Sequence, residues 1–297
     1  MTKGGQSLTK PPWLRVRVGG GPGFGRMQSI IEGGSLHTVC SEALCPNKGR
    51  CWEKGRATIM ILGNTCTRCC RFCNVSPGRP AGCDADEPGR VAGAVAKMGL
   101  NSVVITSVTR DDLPDGGAGI WAETIRAIRR SVRGIVIEVL IPDFQGKTTL
   151  LDVVLEARPD VLGHNLETVP SLYGRIRPQA VYGRSLEVIR HSHGRGFITK
   201  TGIMLGLGES ESEVLAVMSD ARAAGCDIFY VGQYLRPSKQ HAEVCRYVDP
   251  GEFDGYTAKG LAMGFGVVVS APLVRSSYHA EEQDAFLTQR GLSPQDL

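Results

Sequence analysis

Thr58-Ile59-Met60-Ile61-Leu62-Gly63-Asn64-Thr65-Cys66-Thr67-Arg68-Cys69-Cys70-Arg71-Phe72-Cys73 decides how the chain is read. An apolar run, Thr58 to Leu62, leads directly into a knot of thiols, as when a strand delivers metal ligands to the loop at its end. Taking Cys66, Cys70 and Cys73 gives CxxxCxxC. Three thiolates at that spacing hold one cubane and leave its fourth iron without a protein ligand, open to a cofactor. Read differently, the loop is two abutting CxxC pairs, a zinc or dithiol pattern. Two knuckles with no residue between them close poorly around a shared metal, so Cys69 reads as a bystander.

Working outward, β-branched runs alternate with amphipathic stretches from Ala57 onward. Strand candidates are Thr58 to Leu62, Ser102 to Val108, Ile135 to Ile141, Val161 to Asn165, Thr199 to Leu205, Asp227 to Tyr234 and Val267 to Ser270. Between them, Glu87 to Met98, Ile120 to Arg130, Leu150 to Arg158, Ser185 to His193, Glu211 to Ala224 and Glu252 to Met263 show helical apolar spacing. Strand and helix in strict alternation predict an α/β fold with a parallel sheet, a partial (βα)6 TIM-like barrel. Such barrels carry their chemistry at the C-terminal ends of the strands. The cysteine loop follows the first strand, TSVTRDDLPDGG the second, HNLE ends the fourth, LGLGE the fifth and GQYLRPS the sixth, so five loops converge on one mouth. Arg110-Asp111-Asp112 and Asp115-Gly116-Gly117 also read as ordinary turn chemistry.

Length and charge narrow the function classes. The 297 residues suit one barrel with extensions, divided as 1–56, 57–265 and 266–297. Thirty-four basic against 30 acidic residues, with few aromatics, do not point to nucleic acid. No run approaches the roughly 18 apolar residues of a membrane span, and MTKGGQSLTKPPW has no apolar signal core, so a soluble, cytoplasmic protein is expected. Ten clustered cysteines suit a reducing compartment. The first forty residues, with Gly19-Gly20-Gly21-Pro22-Gly23, Arg15 and Arg17, are expected to wrap a surface.

A second triplet, Cys40, Cys45 and Cys51, lies upstream as CxxxxCxxxxxC. Structural zinc takes four ligands, usually in paired knuckles, and this triplet offers none. A cluster is favoured, with a fourth ligand from elsewhere. His37 is the local candidate on spacing, and spacing alone leaves the choice open. Cys83, Cys226 and Cys245 read as packing or surface thiols, and the histidines carry no metal role, though His37 and His279 lie near the proposed ligands.

The CxxxCxxC loop resembles the signature of the radical SAM enzymes, and a closer resemblance covers about His37 to Ala280. CSEALCPN, the cysteine loop, TSVTRDDLPDGG, HNLETVP, GLGE, GQYLRPSKQH, YVDPGEF and PLVRSSYHA, in that order, are similar to lipoyl synthase. The resemblance implies a barrel of the radical SAM type and insertion of two sulfur atoms, at C6 and C8, into an octanoyl chain carried on a lysine of a lipoyl carrier domain. Those methylene hydrogens are not acidic, so acid or base catalysis has nothing to transfer and a radical is required. It implies two 4Fe-4S clusters. The one on Cys66, Cys70 and Cys73 cleaves S-adenosylmethionine, and the auxiliary one on Cys40, Cys45 and Cys51 is consumed as the sulfur source. It further implies a serine of Arg275-Ser276-Ser277-Tyr278 as the auxiliary cluster's fourth ligand, Ser277 in preference to Ser276. An alkoxide suits a cluster meant to come apart.

For S-adenosylmethionine the resemblance maps Asn165 and Glu167 to the ribose and Arg184 to the carboxylate, with Gly206 and Glu209 on the adenine side; helix capping is the plainer reading of Asn165 and Glu167. Implied partners are octanoylated carrier domains (2-oxoacid dehydrogenase E2 subunits and the glycine cleavage H protein), an electron donor such as ferredoxin or flavodoxin, and an iron-sulfur carrier, with no nucleic acid or membrane. Cys69 and Arg71 depart from the arginine and proline expected there. A methylthiotransferase and a biotin synthase are weaker matches, the first lacking its terminal β domain here and the second having no N-terminal triplet. A metal scaffold without turnover is the alternative from another class.

Overall fold

In a computed structural model, which describes residues 8–16, 19–277 and 283–292, the chain runs α1 (Pro22–Gly33), β1 (His37–Thr38), α2 (Val39–Glu42), α3 (Lys48–Glu53), β2 (Thr58–Ile61), β3 (Thr65–Cys66), β4 (Ser76–Pro77), α4 (Glu87–Met98), β5 (Ser102–Ser107), α5 (Ala118–Ser131), β6 (Val136–Leu140), α6 (Thr148–Glu156), β7 (Val161–Gly163), α7 (Tyr173–Ile176), α8 (Tyr182–Gly194), β8 (Ile198–Leu205), α9 (Glu211–Ala223), β9 (Ile228–Gln233), α10 (Pro250–Ala262), β10 (Val267–Ser270) and α11 (Asp284–Gln289). The main sheet has the order β1-β2-β5-β6-β7-β8-β9-β10. Seven strands from β2 to β10 are parallel, and β1 adds antiparallel to β2. Since β1 and β10 are the two edges, the barrel is open. β3 and β4 form a two-residue ladder inside the cysteine loop.

Local chemistry explains these elements. All four residues of β2 and all six of β9 are buried, as parallel strands covered on both faces require. α4 turns Val91, Ala92, Val95 and Met98 inward and stops at Gly99, whose φ of 65° is left-handed. Capping boxes, Ser210 with Glu213 and Asp249 with Glu252, start α9 and α10, each worth about 1 kcal/mol.

Two readings need correction. The glycine-rich start does not simply wrap a surface: Pro22 opens α1, which buries Met27 and Ile31. Its glycines permit close docking on α3, since a Cβ at Gly23 would lie 2.2 Å from the Glu53 carbonyl oxygen. Phe24 and Trp52 then meet at 5.2 Å. The fourth strand ends at Gly163, not Asn165, because Glu167 takes a left-handed φ of 67° and pairs with Ile203 as an isolated bridge. Arg17, Tyr278 and His279 lie outside the described residues.

α11 docks Leu287 into a cluster with Val136, Val161, Ile198 and Ile228, and Gln283 at its start reaches a buried ion pair. Lys200 Nζ donates to Glu138 at 2.8 and 3.0 Å and to Gln283 Oε1 at 3.1 Å, 4.3 Å from the Tyr230 ring. Burial pushes the Lys200 ammonium down and Glu138 opposes it. Removing one partner strands a buried charge. Lys200→Ala is therefore expected to lower unfolding free energy by about 3–5 kcal/mol, whereas Lys200→Met with Glu138→Leu costs much less; urea titrations of both variants check this.

Candidate functional site

The parallel strands end in loops that surround one cavity of about 990 Å³. Cys66, Cys70 and Cys73 line it from the loop after β2. Cys40 and Cys45 come from α2 and the turn beyond it, and Arg275, Ser276 and Ser277 from the loop after β10. All ten cysteines are free thiols. Asn74 Nδ2, donating to the Glu42 carbonyl at 2.8 Å, joins the two thiol segments, and Asn47 Nδ2, donating to the Leu273 carbonyl at 2.7 Å, joins the upstream one to the loop after β10. Cys51 does not border the cavity. It packs against the core beside Cys40 and Cys45.

The cysteine loop is held from several sides. Arg68, buried, grips Asp111 through Nε and Nη2 at 2.7 and 3.0 Å and Asp143 through Nη2 at 2.6 Å. The Arg71 amide donates to the Ile176 carbonyl at 2.8 Å, and the Ala242 amide to the Arg71 carbonyl at 2.8 Å. His241 Nε2 donates to the Cys73 carbonyl at 3.0 Å. Backbone amides of Arg68 and Thr109 aim at Cys66 Sγ from 3.4 and 3.3 Å, the bonds that tune a thiolate ligand. Asp111 thus has a defined task in anchoring the cysteine loop, while Arg110 pairs with Asp112 and Asp115 caps the Gly117 and Gly119 amides.

Burial pushes the Cys40 and Cys70 thiols up, and those of Cys51 and Cys73 to about 12. They hold their protons until a metal displaces them. Among the described residues no three His, Cys, Asp or Glu groups converge on one ion. The donor set fits an iron-sulfur cluster in its chemistry: pooled thiols, amides aimed at sulfur, and the buried Arg177 beside Cys70.

Of the residues mapped to S-adenosylmethionine, Asn165 and Glu167 line the cavity and three do not. Arg184 pairs with Asp143 at 3.4 Å. Glu209 accepts from the Gly206 and Leu207 amides at 2.6 and 2.9 Å, and Gly206, φ 97°, leaves no room for a Cβ, which would lie 2.3 Å from Gln233 Nε2. Asn165 and Glu167 do not act as helix caps. Asn165 Nδ2 donates to Ser276 Oγ at 2.7 Å while its Oδ1 is buried without a partner. Burial raises the Glu167 carboxyl, with Arg177 opposing.

Sequence reading missed Arg177. It lines the cavity, donates from Nη1 to the Asn165 and Leu166 carbonyls at 2.9 and 3.0 Å, and keeps a buried Nε without a partner. No periodicity or motif marks it. His164, also missed, is neutral: burial lowers it to about 4, Nδ1 donates to the Ile141 carbonyl at 2.8 Å, and Nε2 accepts from Ser185 Oγ at 3.0 Å. His37 lies 3.6 Å from Glu42 and does not line the cavity. Cys69 is exposed, with Sγ 3.4 Å from Gln179 Oε1.

The chain matches the family model of the Radical SAM superfamily over residues 60–221. It is 56% identical over 276 residues to the lipoyl synthase of Rubrobacter xylanophilus, covering 92% of this chain and 86% of that one. It is 51% identical to the lipoyl synthase of Porphyromonas gingivalis, covering 93% and 98%. Among solved structures, Streptococcus suis SuiB bound to S-adenosylmethionine matches with a TM-score of 0.57 at 11% identity, over 76% of this chain and 55% of that chain. The FeFe-hydrogenase maturase HydG from Carboxydothermus hydrogenoformans matches with 0.56 at 14%, over 89% and 77%. At such identities these two show the fold alone.

Asp143 gives a pH prediction. Burial pushes its carboxyl up, but the Arg68 guanidinium outweighs burial and holds it at about 2, below its ordinary 3.8. That difference contributes about 2 kcal/mol above pH 5 and is lost as pH falls through 3.8 toward 2. The stability gap between the wild-type chain and Asp143→Asn is expected to shrink between pH 5 and pH 3, as read by denaturant midpoints.

Proposed function

The chain belongs to the lipoyl synthase family of radical SAM enzymes, and from that premise we propose that it inserts sulfur at C6 and C8 of an octanoyl group borne on a lysine of a lipoyl carrier domain. Biotin synthase and methylthiotransferase readings give way to relatives at 51–56% identity that are lipoyl synthases. The observation that carries the proposal is that Cys66, Cys70 and Cys73, together with Cys40, Cys45 and Ser277, border one cavity. When bound, the clusters and S-adenosylmethionine supply the radical and the sulfur.

The chain's own residues supply positions. In this reading Cys66, Cys70 and Cys73 hold the cluster that engages S-adenosylmethionine, and Cys40, Cys45 and Cys51 hold the auxiliary cluster. Cys51 lies off the cavity wall, beside Cys40 and Cys45. Ser277 supplies the fourth auxiliary ligand. The support is that the Ser276 hydroxyl is engaged by Asn165, while Ser277 Oγ has no hydrogen bond among the described residues. The orphaned Asn165 Oδ1 suits a ribose hydroxyl, since a buried acceptor left unpaired costs about 1–3 kcal/mol. Glu167 sits beside that amide. Arg184 and Glu209 contribute at one remove, through Asp143 and through the Gly206 turn.

An open cavity at the strand ends suits a substrate delivered on another protein's lysine. Carrier domains, a ferredoxin or flavodoxin reductant and an iron-sulfur carrier are the partners of the proposal. No helix among the described residues is long and apolar enough to cross a membrane; the cytoplasmic setting rests on the free thiols.

The test is anaerobic: reconstituted chain, dithionite, S-adenosylmethionine and an octanoyl-lysine carrier domain, followed by mass spectrometry. About eight irons per chain and an acyl product carrying two sulfurs are expected. Cys66→Ala is expected to abolish 5′-deoxyadenosine, whereas Cys40→Ala keeps it and loses sulfur insertion. Zinc in place of iron, or 5′-deoxyadenosine from wild type with no thiolated product, overturns the assignment.

A further inference from the structure

Asn165, in the loop after β7, and Ser276, in the loop after β10, are 111 positions apart in sequence and joined at 2.7 Å. Among the described residues this is the single hydrogen bond made by Ser276 or Ser277. The rest of that loop is tied further back, at Leu273 by Asn47 and at Val274 by Ala271. Among the described residues, Asn165 is thus the hydrogen-bond tie nearest to Ser277. Nδ2 is engaged by Ser276 Oγ, which leaves Oδ1, buried and unpartnered, as the atom for an incoming donor.

We propose that Ser276 is a positioning residue that couples the S-adenosylmethionine site to the auxiliary cluster's ligand segment through Asn165. The inference rests on the functional reading above and extends it. A hydroxyl donating to Oδ1 polarises the amide and strengthens the bond from Nδ2 to Ser276, because hydrogen bonds in a chain reinforce one another in a low-dielectric site. Occupancy by S-adenosylmethionine then holds Ser277 in place. By linkage, a segment held in place favours S-adenosylmethionine in return. The physical consequence is that S-adenosylmethionine binds more tightly when the sulfur-donating side is in register.

The test measures S-adenosylmethionine binding by equilibrium dialysis on cluster-loaded chains. Ser276→Ala, although it removes no atom proposed to touch S-adenosylmethionine, is expected to raise Kd roughly 5- to 10-fold, the low end of ordinary coupling. Iron stays near eight per chain, and Ser276→Thr, which keeps the acceptor, binds like wild type. Asn165→Ala with Ser276→Ala together weakens binding no further than Asn165→Ala alone. Reciprocally, Asn165→Ala is expected to alter the auxiliary cluster's EPR spectrum. Wild-type affinity in Ser276→Ala, additive effects in the double variant, or an unchanged spectrum in Asn165→Ala each overturns the proposal. A wild-type chain that binds neither iron nor S-adenosylmethionine instead removes the functional reading on which it stands.

Discussion

The buried guanidinium of Arg68 is the contact on which the arrangement of the site depends. It sits within the cysteine loop, yet both its partners come from other strands: Asp111 follows β5 and Asp143 follows β6. Burial works against its charge, and the hydrogen bonds and charge of the two carboxylates outweigh that cost. A charge this deep is tolerable only when fully paired, so the loop has one position in which Arg68 is satisfied. That position sets where Cys66 and Cys70 emerge. The same Asp143 receives Arg184, so the loops after β2 and β6 and the start of α8 form one electrostatic unit.

Around that anchor, burial controls the chemistry of the cavity wall. Thiols of Cys40, Cys70 and Cys73 are pushed toward the protonated form, as is that of Cys51 off the wall, and Glu167 toward the neutral one. Arg177, lying near both Cys70 and Glu167, and Arg275, near Glu167, offset this. A wall with these properties disfavours uncompensated charge, so an anionic group is tolerated where a buried cation lies beside it. His164, held neutral between a carbonyl and a serine, adds shape to the wall without adding charge.

Much of this was legible before any coordinates. Each apolar run from Thr58 onward is a strand, each intervening amphipathic stretch a helix, and the capping boxes at Ser210 and Asp249 mark helix starts in plain sequence. Short-range spacing also marks CxxxCxxC, because ligands of one loop are necessarily near each other. Legibility failed where local cues pointed one way and packing another. The glycines before Pro22 look like a loop, yet they let α1 lie against α3; Gly206 and Glu209 look like ligand contacts, yet they build a turn.

Alternation of periodicity and the clustering of thiols are properties of neighbours along the chain, so the sequence by itself determined the fold class, the presence of a metal loop and the family. That Asn165 meets Ser276, that Asp111 and Asp143 anchor Arg68, and that Arg177 lines the cavity were decided only by tertiary structure. Those facts join residues dozens of positions apart, on loops whose meeting is set by strand order and by the need to pair every buried charge.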